Sequence, residues 1–294
     1  MPSAPPPVPP AVRVVCVVFN PGPELEAFVR SLRTATSASY ELVLVNNGGP
    51  SAVVQGLVDE GAARLVESGG NLGYGRAANI GAQGSTSPWL VVANPDVVWE
   101  PGSLDTLLDA AARHPAAGSL GPRILNEDGT VYPSARAVPS LWLGAGHALL
   151  VRIWPSNPLS RRYRRENPAD PGAERAVGWL SGALLLLRRE AFEAVSGFDS
   201  GYFMFFEDLD LGERLGRAGW DNVVVPSATV THIQGASWKR TPEPMIRAHH
   251  ASARRYVRRR YRRWFEAPVR WVAVLGLRLR EQLEVAGARR TARS

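Results

Sequence analysis

The residues best suited to chemistry are carboxylates and one imidazole placed directly after hydrophobic runs. Asn94-Pro95-Asp96 follows the apolar stretch Trp89 to Ala93. A carboxylate at the carboxyl end of a buried strand lies where open α/β sheets bind ligands. One Asp there can hold a divalent cation whose other positions are filled by phosphate and water. As structure alone, the tripeptide is an Asx-Pro turn. Further on, Phe203-Met204-Phe205-Phe206-Glu207-Asp208-Leu209-Asp210-Leu211 sets three acids within four residues against aromatic rings. Repulsion and partial desolvation are expected to raise at least one of these carboxyl pKa values, which suits a general base. As structure alone, Asp208 is a helix N-cap and Asp210 lies in the first turn. His232 follows the last strand-like run, and pairing with Asp96 across the sheet is what would make it a ligand.

A glycine loop also invites a functional reading. Gly73-Tyr74-Gly75-Arg76-Ala77-Ala78 imitates the dinucleotide fingerprint G-x-G-x-x-A, with Asp96 about 20 residues further on. That fingerprint belongs in the turn after the first strand. Here the first strand, Val12 to Phe19, ends in Asn20-Pro21-Gly22, which counts against a dinucleotide enzyme.

The scaffold these residues need is legible as alternating segments. Val12 to Phe19 is β-branched and continuous, the mark of a strand buried on both faces. Pro23 to Ser31 has helical spacing, Glu41 to Val45 is a strand ending in Asn46-Asn47-Gly48-Gly49, and Ser51 to Gly61 is helical. Ala63 to Glu67 is a short strand. Gly69 to Gly75 opens a helix to about Gln83, Trp89 to Ala93 is a buried strand, and Leu104 to Arg113 is helical. After a loose, proline-rich stretch at about 130–176, a strand-like run spans Val177 to Leu187. A helix follows over Glu190 to Val195, a second runs from the acidic block to about Ala218, and the last strand lies near Val223 to Val225. This order predicts an α/β fold, a mainly parallel sheet with helices on both faces.

Composition and charge set the class. The chain has 294 residues, 45% of them hydrophobic and 21% charged, enough for a sizeable core. Its one cysteine, Cys16, excludes a disulfide framework and a cysteine-cluster metal site, and reads as a small buried apolar residue. No apolar run reaches the roughly 18 residues of a membrane-spanning helix, and the Pro-rich residues 1–10 read as a disordered lead-in lacking the apolar core of a signal peptide. A cytoplasmic protein is expected. The net charge of +7 is uneven: residues 247–294 hold 14 Arg against three Glu, whereas the rest is mildly acidic. Arg254, Arg255, Arg258, Arg259, Arg262 and Arg263 form one stripe on a helix, with Val257, Tyr261, Trp264 and Phe265 on another face. A second helix at about Pro268 to Ala286 groups Val272, Leu275, Leu279 and Leu283. Such a basic amphipathic tail (241–294) suits an anionic membrane surface. Binding to nucleic acid, or packing on the chain's own domain, are the alternatives.

Taken together, Asn71-Leu72-Gly73-Tyr74-Gly75-Arg76-Ala77-Ala78-Asn79, Asn94-Pro95-Asp96, Gly197-Phe198-Asp199, the block from Phe203 to Leu211, and Pro226 leading to His232 recur in the order seen in one family. Over about residues 12–240 the chain resembles the inverting GT-A glycosyltransferases of family 2, in particular bacterial rhamnosyltransferases. The resemblance implies a GT-A domain over 11–240, with 130–176 as a flexible acceptor-side loop region. It implies Asp208 as the base that deprotonates the acceptor hydroxyl, with Glu207, Trp179 and the turn Ser181-Gly182 on the acceptor side. Asn20, Asn46, Asn71, Gly73, Arg76, Asn79, Asn94 and Asp96 fall on the donor side. Asp96 and His232 correspond to ligands of a divalent metal (Mg²⁺ or Mn²⁺). Asn94 stands where the family usually has the first acid of its DXD motif, and Asn46 where many relatives use an Asp to read the nucleobase. The implied reaction moves L-rhamnose from dTDP-L-rhamnose to a polyprenyl-diphosphate-linked sugar. It would run on a protein bound peripherally at the inner face of the membrane. A glycosyltransferase with another nucleotide-sugar donor or a polysaccharide acceptor, or a basic-tailed nucleic-acid or membrane adaptor, are the other readings.

Overall fold

In a computed structural model, which describes residues 10–139, 172–233 and 242–291, the chain forms one mixed sheet covered on both faces. The first half runs β1 (Val12–Val18), α1 (Glu24–Ala35), β2 (Tyr40–Asn46), α2 (Ala52–Asp59), β3 (Arg64–Glu67), α3 (Tyr74–Ala82), β4 (Trp89–Ala93). The chain continues through β5 (Val97–Trp99), α4 (Ser103–Arg113), β6 (Ala117–Leu125), β7 (Val131–Tyr132), β8 (Ala135–Arg136), β9 (Arg175–Val177), β10 (Trp179–Leu180) and β11 (Leu184–Arg188). It ends with α5 (Arg189–Ala194), α6 (Glu207–Arg217), β12 (Asp221–His232), α7 (Pro242–Arg260), a 3₁₀ turn (Trp264–Glu266) and α8 (Ala267–Thr291).

The main strand order is β3-β2-β1-β4-β11-β6-β12-β5. The first four strands are parallel, β11 enters antiparallel between β4 and β6, and β6 and β12 are parallel again. Every residue of β1 is buried, because helices lie on both sides of it. Alternation along the strand divides the core: Val14, Cys16 and Val18 pack with Phe28, Leu32 and Leu107 on one face. Val15 and Val17 pack with Ala77, Phe198 and Leu215 on the other. The small residues of α3 follow from close approach to the sheet: a Cβ on Gly81 would stand 2.4 Å from a Val15 methyl. Cys16 is free and buried, as expected, and burial pushes its thiol pKa well up.

Several boundaries differ from the sequence expectation for identifiable reasons. Ala117–Leu125 is a nine-residue central strand, although Gly118, Gly121 and Pro122 interrupt its apolar pattern. The run Val177 to Leu187 is three short strands, broken by the turn at 181–183. The last strand extends from Asp221 to His232, continuing past Pro226 by a register shift between Val225 and Thr229. The ends of the loose stretch are ordered: β7 pairs with β6, and β8 with β10. Its middle, 140–171, and the Pro-rich residues 1–9 lie outside the described residues.

The tail is a helical hairpin docked on the sheet domain. The Ser252 hydroxyl donates to the Met204 carbonyl at 2.7 Å, and Tyr256 donates to Glu213 at 2.8 Å. Arg255 donates to both Asp199 oxygens at 2.9 Å, and Arg259 pairs with the same carboxylate. Three of the six stripe arginines are therefore spent on the chain's own acids: Arg254 on Glu281, and Arg255 and Arg259 on Asp199. Val257 and Tyr261 pack on Val274 of α8 instead of facing outward, whereas Trp264, Phe265, Val272, Leu275, Leu279 and Leu283 are exposed.

Candidate active site

The carboxyl ends of β1, β2 and β4 and the start of α6 meet along one cleft. The turn between β10 and β11 joins its two sides. Asn94, just past β4, donates its backbone N–H to the Ala183 carbonyl at 2.9 Å. One residue earlier, the Gly182 N–H donates to Asp208 Oδ2 at 2.9 Å, and the Gly182 carbonyl accepts from the Tyr74 hydroxyl at 2.7 Å. From Asn94 the path continues to His232, whose Nε2 lies 3.4 Å from the Asn94 amide nitrogen and 3.0 Å from Asp96 Oδ1. Asp96, His232 and Asp208, remote in sequence, thus share one wall. The buried Tyr74 phenol sits between them, its pKa raised well above normal by burial and by the charges of Cys16, Glu207, Asp208 and Asp96.

The acidic pair starts α6 in an unusual way. Asp208 is not the N-cap: the cap position is Phe206, and both Phe205 and Phe206 adopt left-handed backbone conformations. This strained turn carries Glu207 and Asp208 into the first helical turn, where backbone N–H groups favour negative charge. Burial raises the Asp208 pKa, opposed by the Gly182 and Leu209 N–H groups. Glu207 is pushed up to about 8 by burial and by the Asp208 charge, and its Oε2 has no hydrogen-bond partner. Burial and the Asp208 charge thus favour the protonated form of Glu207, beside an Asp208 that accepts two backbone N–H groups. Asp210 faces away from this pair, bonded to Arg214 and Tyr202.

On the metal side, Asp96 Oδ1 and His232 Nε2 lie 3.0 Å apart, a carboxylate oxygen and an imidazole nitrogen side by side. The buried Nδ1 of His232 has no hydrogen-bond partner. The two donors fit a divalent cation whose other positions belong to phosphate and water. Among the described residues no group of three His, Cys, Asp or Glu gathers to make a cage.

The remaining expected donor-side residues divide into those at the cleft and those holding it together. Asn20, with φ +48, and Asn71 lie exposed at the cleft's edge, and Arg76 is exposed on α3. Asn46 is buried, and its amide donates to Glu67 and to the Gly49 carbonyl. Asn79 is committed to structure: its amide donates to the Phe198 carbonyl and accepts the Phe198 N–H. Gly73 serves packing, since a Cβ there would meet the Phe203 carbonyl oxygen at 2.0 Å. On the acceptor side, Trp179 donates its ring N–H to the Ala137 carbonyl and lies under the Arg136 guanidinium, and the Ser181 N–H is bound by Ser134.

Three residues escaped the sequence reading. Buried Asn47 holds the glycine loop, accepting from Leu72 N–H and Ser68 and donating to Asn71. Glu67 closes on Asn46 from the tip of β3, and Tyr74 bridges the two halves of the cleft. An acid at a strand's end and a buried phenol in a glycine loop were the available signals.

The profile of the family described as glycosyltransferase-like family 2 matches residues 9–264. The chain belongs to this family. The transferase is 47% identical, over 95% of its own length and 94% of the relative's, to N-acetylglucosaminyl-diphospho-decaprenol L-rhamnosyltransferase of Mycobacterium tuberculosis. Its fold is shared with GalNAc-T7, solved with UDP, GalNAc and Mn²⁺ (TM-score 0.57, 19% identity, covering 76% of this chain and 44% of that one). It is shared equally with the mannosyltransferase PcManGT of Pyrobaculum calidifontis, solved with GDP-Man and Mn²⁺ (TM-score 0.57, 15% identity, 95% and 73% covered). The transferase therefore has the GT-A fold and is a glycosyltransferase.

Proposed function

We propose that this transferase moves L-rhamnose, with inversion, from dTDP-L-rhamnose to an N-acetylglucosaminyl-diphospho-polyprenol acceptor in the synthesis of a cell-wall linker. The observation that carries the reading is the single turn at 181–183, which holds Asp208 on one side and the Asn94–Asp96 segment on the other. A one-step displacement needs a base and a diphosphate-holding group anchored at one cleft, and adjacent residues of this turn anchor both. The identity to the mycobacterial rhamnosyltransferase, sustained over nearly the whole of both chains, supports the choice of sugar and acceptor.

In this reading Asp208 takes the proton of the acceptor hydroxyl as that oxygen bonds to the anomeric carbon. The bond from the anomeric carbon to the diphosphate oxygen breaks, and its electron pair leaves with the diphosphate. Asp96 and His232 would hold a divalent cation, Mg²⁺ or Mn²⁺, which supplies charge neutralisation for the departing diphosphate when bound. Asn94 adds a neutral amide where a second acid is usual, so the protein contributes one carboxylate to that charge balance. On the nucleobase side, Glu67 supplies the carboxylate that Asn46 lacks, oriented by the Asn46 amide. Trp179, Ser181 and Gly182 form the acceptor floor below Arg136.

Among the described residues no helix is long and apolar enough to cross a membrane. Contact with a lipid-linked substrate is assigned to the exposed face of the tail hairpin, with the protein peripheral at the inner face of the membrane. The experiment that tests the function is transfer of radiolabelled sugar from dTDP-rhamnose into a lipid extract, with Asp208→Asn alongside. Label in the lipid fraction with wild-type protein and none with the variant is the expected result. Equal incorporation by both would remove Asp208 as base.

A further inference from the structure

A second charged site lies at the root of the tail, apart from the groups used in transfer. Between α6 and α7 is a solvent-open cavity of about 610 Å³ walled by arginines and three carboxylates. The carboxylates are already committed: Asp210 pairs with Arg214 at 2.6 Å, and Glu213 with Arg217 at 2.6 Å and Arg260 at 2.5 Å. Glu266 accepts the Arg263 backbone N–H at 2.9 Å. Arg262 and Arg263, on the exposed lip, have no carboxylate within ion-pair distance among the described residues. Burial and the nearby Arg262 charge hold the Arg259 guanidinium below its ordinary range. Arg214 Nη2 is buried without an acceptor. Surplus guanidinium charge, two repelling arginines and an unanswered N–H describe a site shaped for an anion with several oxygens, as a phosphate has.

What stands beside the cavity identifies the source of that phosphate. Trp264 and Phe265 directly follow the two lip arginines and are 86% and 51% exposed. From them Trp271, Val272, Leu275, Leu279 and Leu283 continue as an exposed apolar stripe along α8. Arginine at headgroup depth with aromatic rings and leucines beneath is the pattern of a helix lying in a membrane interface. The cavity is also on the wrong side of α6 for the acceptor's diphosphate: Asp210, in its wall, is two residues from Asp208, about 200° around the helix.

We propose that this cavity takes the phosphate of an anionic phospholipid headgroup while Trp264, Phe265 and the α8 stripe enter the lipid. The proposal rests on the membrane reading above and is tested with the full-length protein in vesicle co-sedimentation. Phosphatidylcholine vesicles are compared with phosphatidylcholine–phosphatidylglycerol vesicles, using wild type, the double variant Arg262→Gln/Arg263→Gln and the double variant Leu275→Ser/Leu279→Ser. Wild type is expected to prefer the anionic vesicles, and the arginine variant to bind them roughly thirtyfold more weakly. Transfer to a short-chain acceptor should be unchanged in that variant. Anionic-vesicle binding undiminished in the arginine variant but lost in the leucine variant overturns the headgroup site and leaves the membrane reading standing. Failure of wild type to bind either vesicle overturns both. Equal binding of wild type to both vesicles while inorganic phosphate still raises its Tm, or displacement from anionic vesicles by a short DNA duplex at matched ionic strength, overturns the lipid as the source.

Discussion

The Gly182 amide holds Asp208 across 26 residues of sequence, at 2.9 Å, while the same glycine's carbonyl holds Tyr74. In the proposed mechanism, a base gripped in this way has one orientation available when the acceptor arrives. Asp208→Asn keeps the size and loses the proton acceptor. Its kcat is expected to fall about 10²–10⁴-fold with the donor KM little changed, as steady-state kinetics would show.

Glu207 makes stability depend on pH. Its pKa is about 8 in the folded protein and ordinary, near 4.5, in the unfolded chain. A raised carboxyl pKa contributes stability that is complete below the unfolded value and is lost as pH rises towards the folded one. Wild type should therefore lose thermal stability progressively between about pH 4.5 and 8. Glu207→Gln, which cannot ionise, should gain on wild type across that window. Tm values measured at both ends check the sign; an equal gap at the two ends would refute it.

The proposed cation site at Asp96 and His232 predicts unequal losses. Removing its carboxylate, with Asp96→Ala, should abolish metal-dependent nucleotide-diphosphate binding. His232→Ala should instead raise the Mn²⁺ concentration needed for half-maximal activity by about 10–100-fold. Titration calorimetry with Mn²⁺ and a nucleoside diphosphate distinguishes the two outcomes.

Gly73 is a packing position at a left-handed backbone angle, with φ +85 and the Phe203 carbonyl where a side chain would go. Gly73→Ala should cost about 3 kcal/mol or more. Because Tyr74 N–H also donates to Phe203 O, the loss should appear as an altered aromatic loop in near-ultraviolet circular dichroism.

Truncation before α7 removes Arg255 and Arg259 from Asp199, Tyr256 and Arg260 from Glu213, and the Ser252 hydroxyl from the Met204 carbonyl. A chain ending at residue 241 should still bind nucleoside diphosphate, since those donors lie beyond the donor-side strands. Its transfer rate should fall by up to about a hundredfold through displacement of the loop before Asp208. Donor binding by thermal shift, set against turnover, separates the two effects.

Much of this was legible beforehand because buried parallel strands announce themselves: Trp89–Ala93 and Val12–Val18 needed no more than their apolar continuity. The cleft residues Asp96, Asp208 and His232 were legible from position at strand ends and at a helix start. What stayed hidden depended on long-range pairing. Pro122 sits inside a central strand at a register shift, which no local pattern announces. Asn79 carried a ligand-like side chain whose hydrogen bonds close on Phe198, 119 residues away. Half of the arginine stripe looked free because the acids that pair with it, Asp199 and Glu281, come from other elements.

The short ribbon of β8 and β10 brackets the long excursion between Arg136 and Trp179 and closes it at its base. Because β9 is also fixed, by pairing with β12, changes of sequence between residues 139 and 172 start and end on anchored backbone and leave the turn that grips Asp208 in place. In the proposed transfer, acceptor preference could therefore be altered there while the Asp208–Gly182 contact is inherited intact.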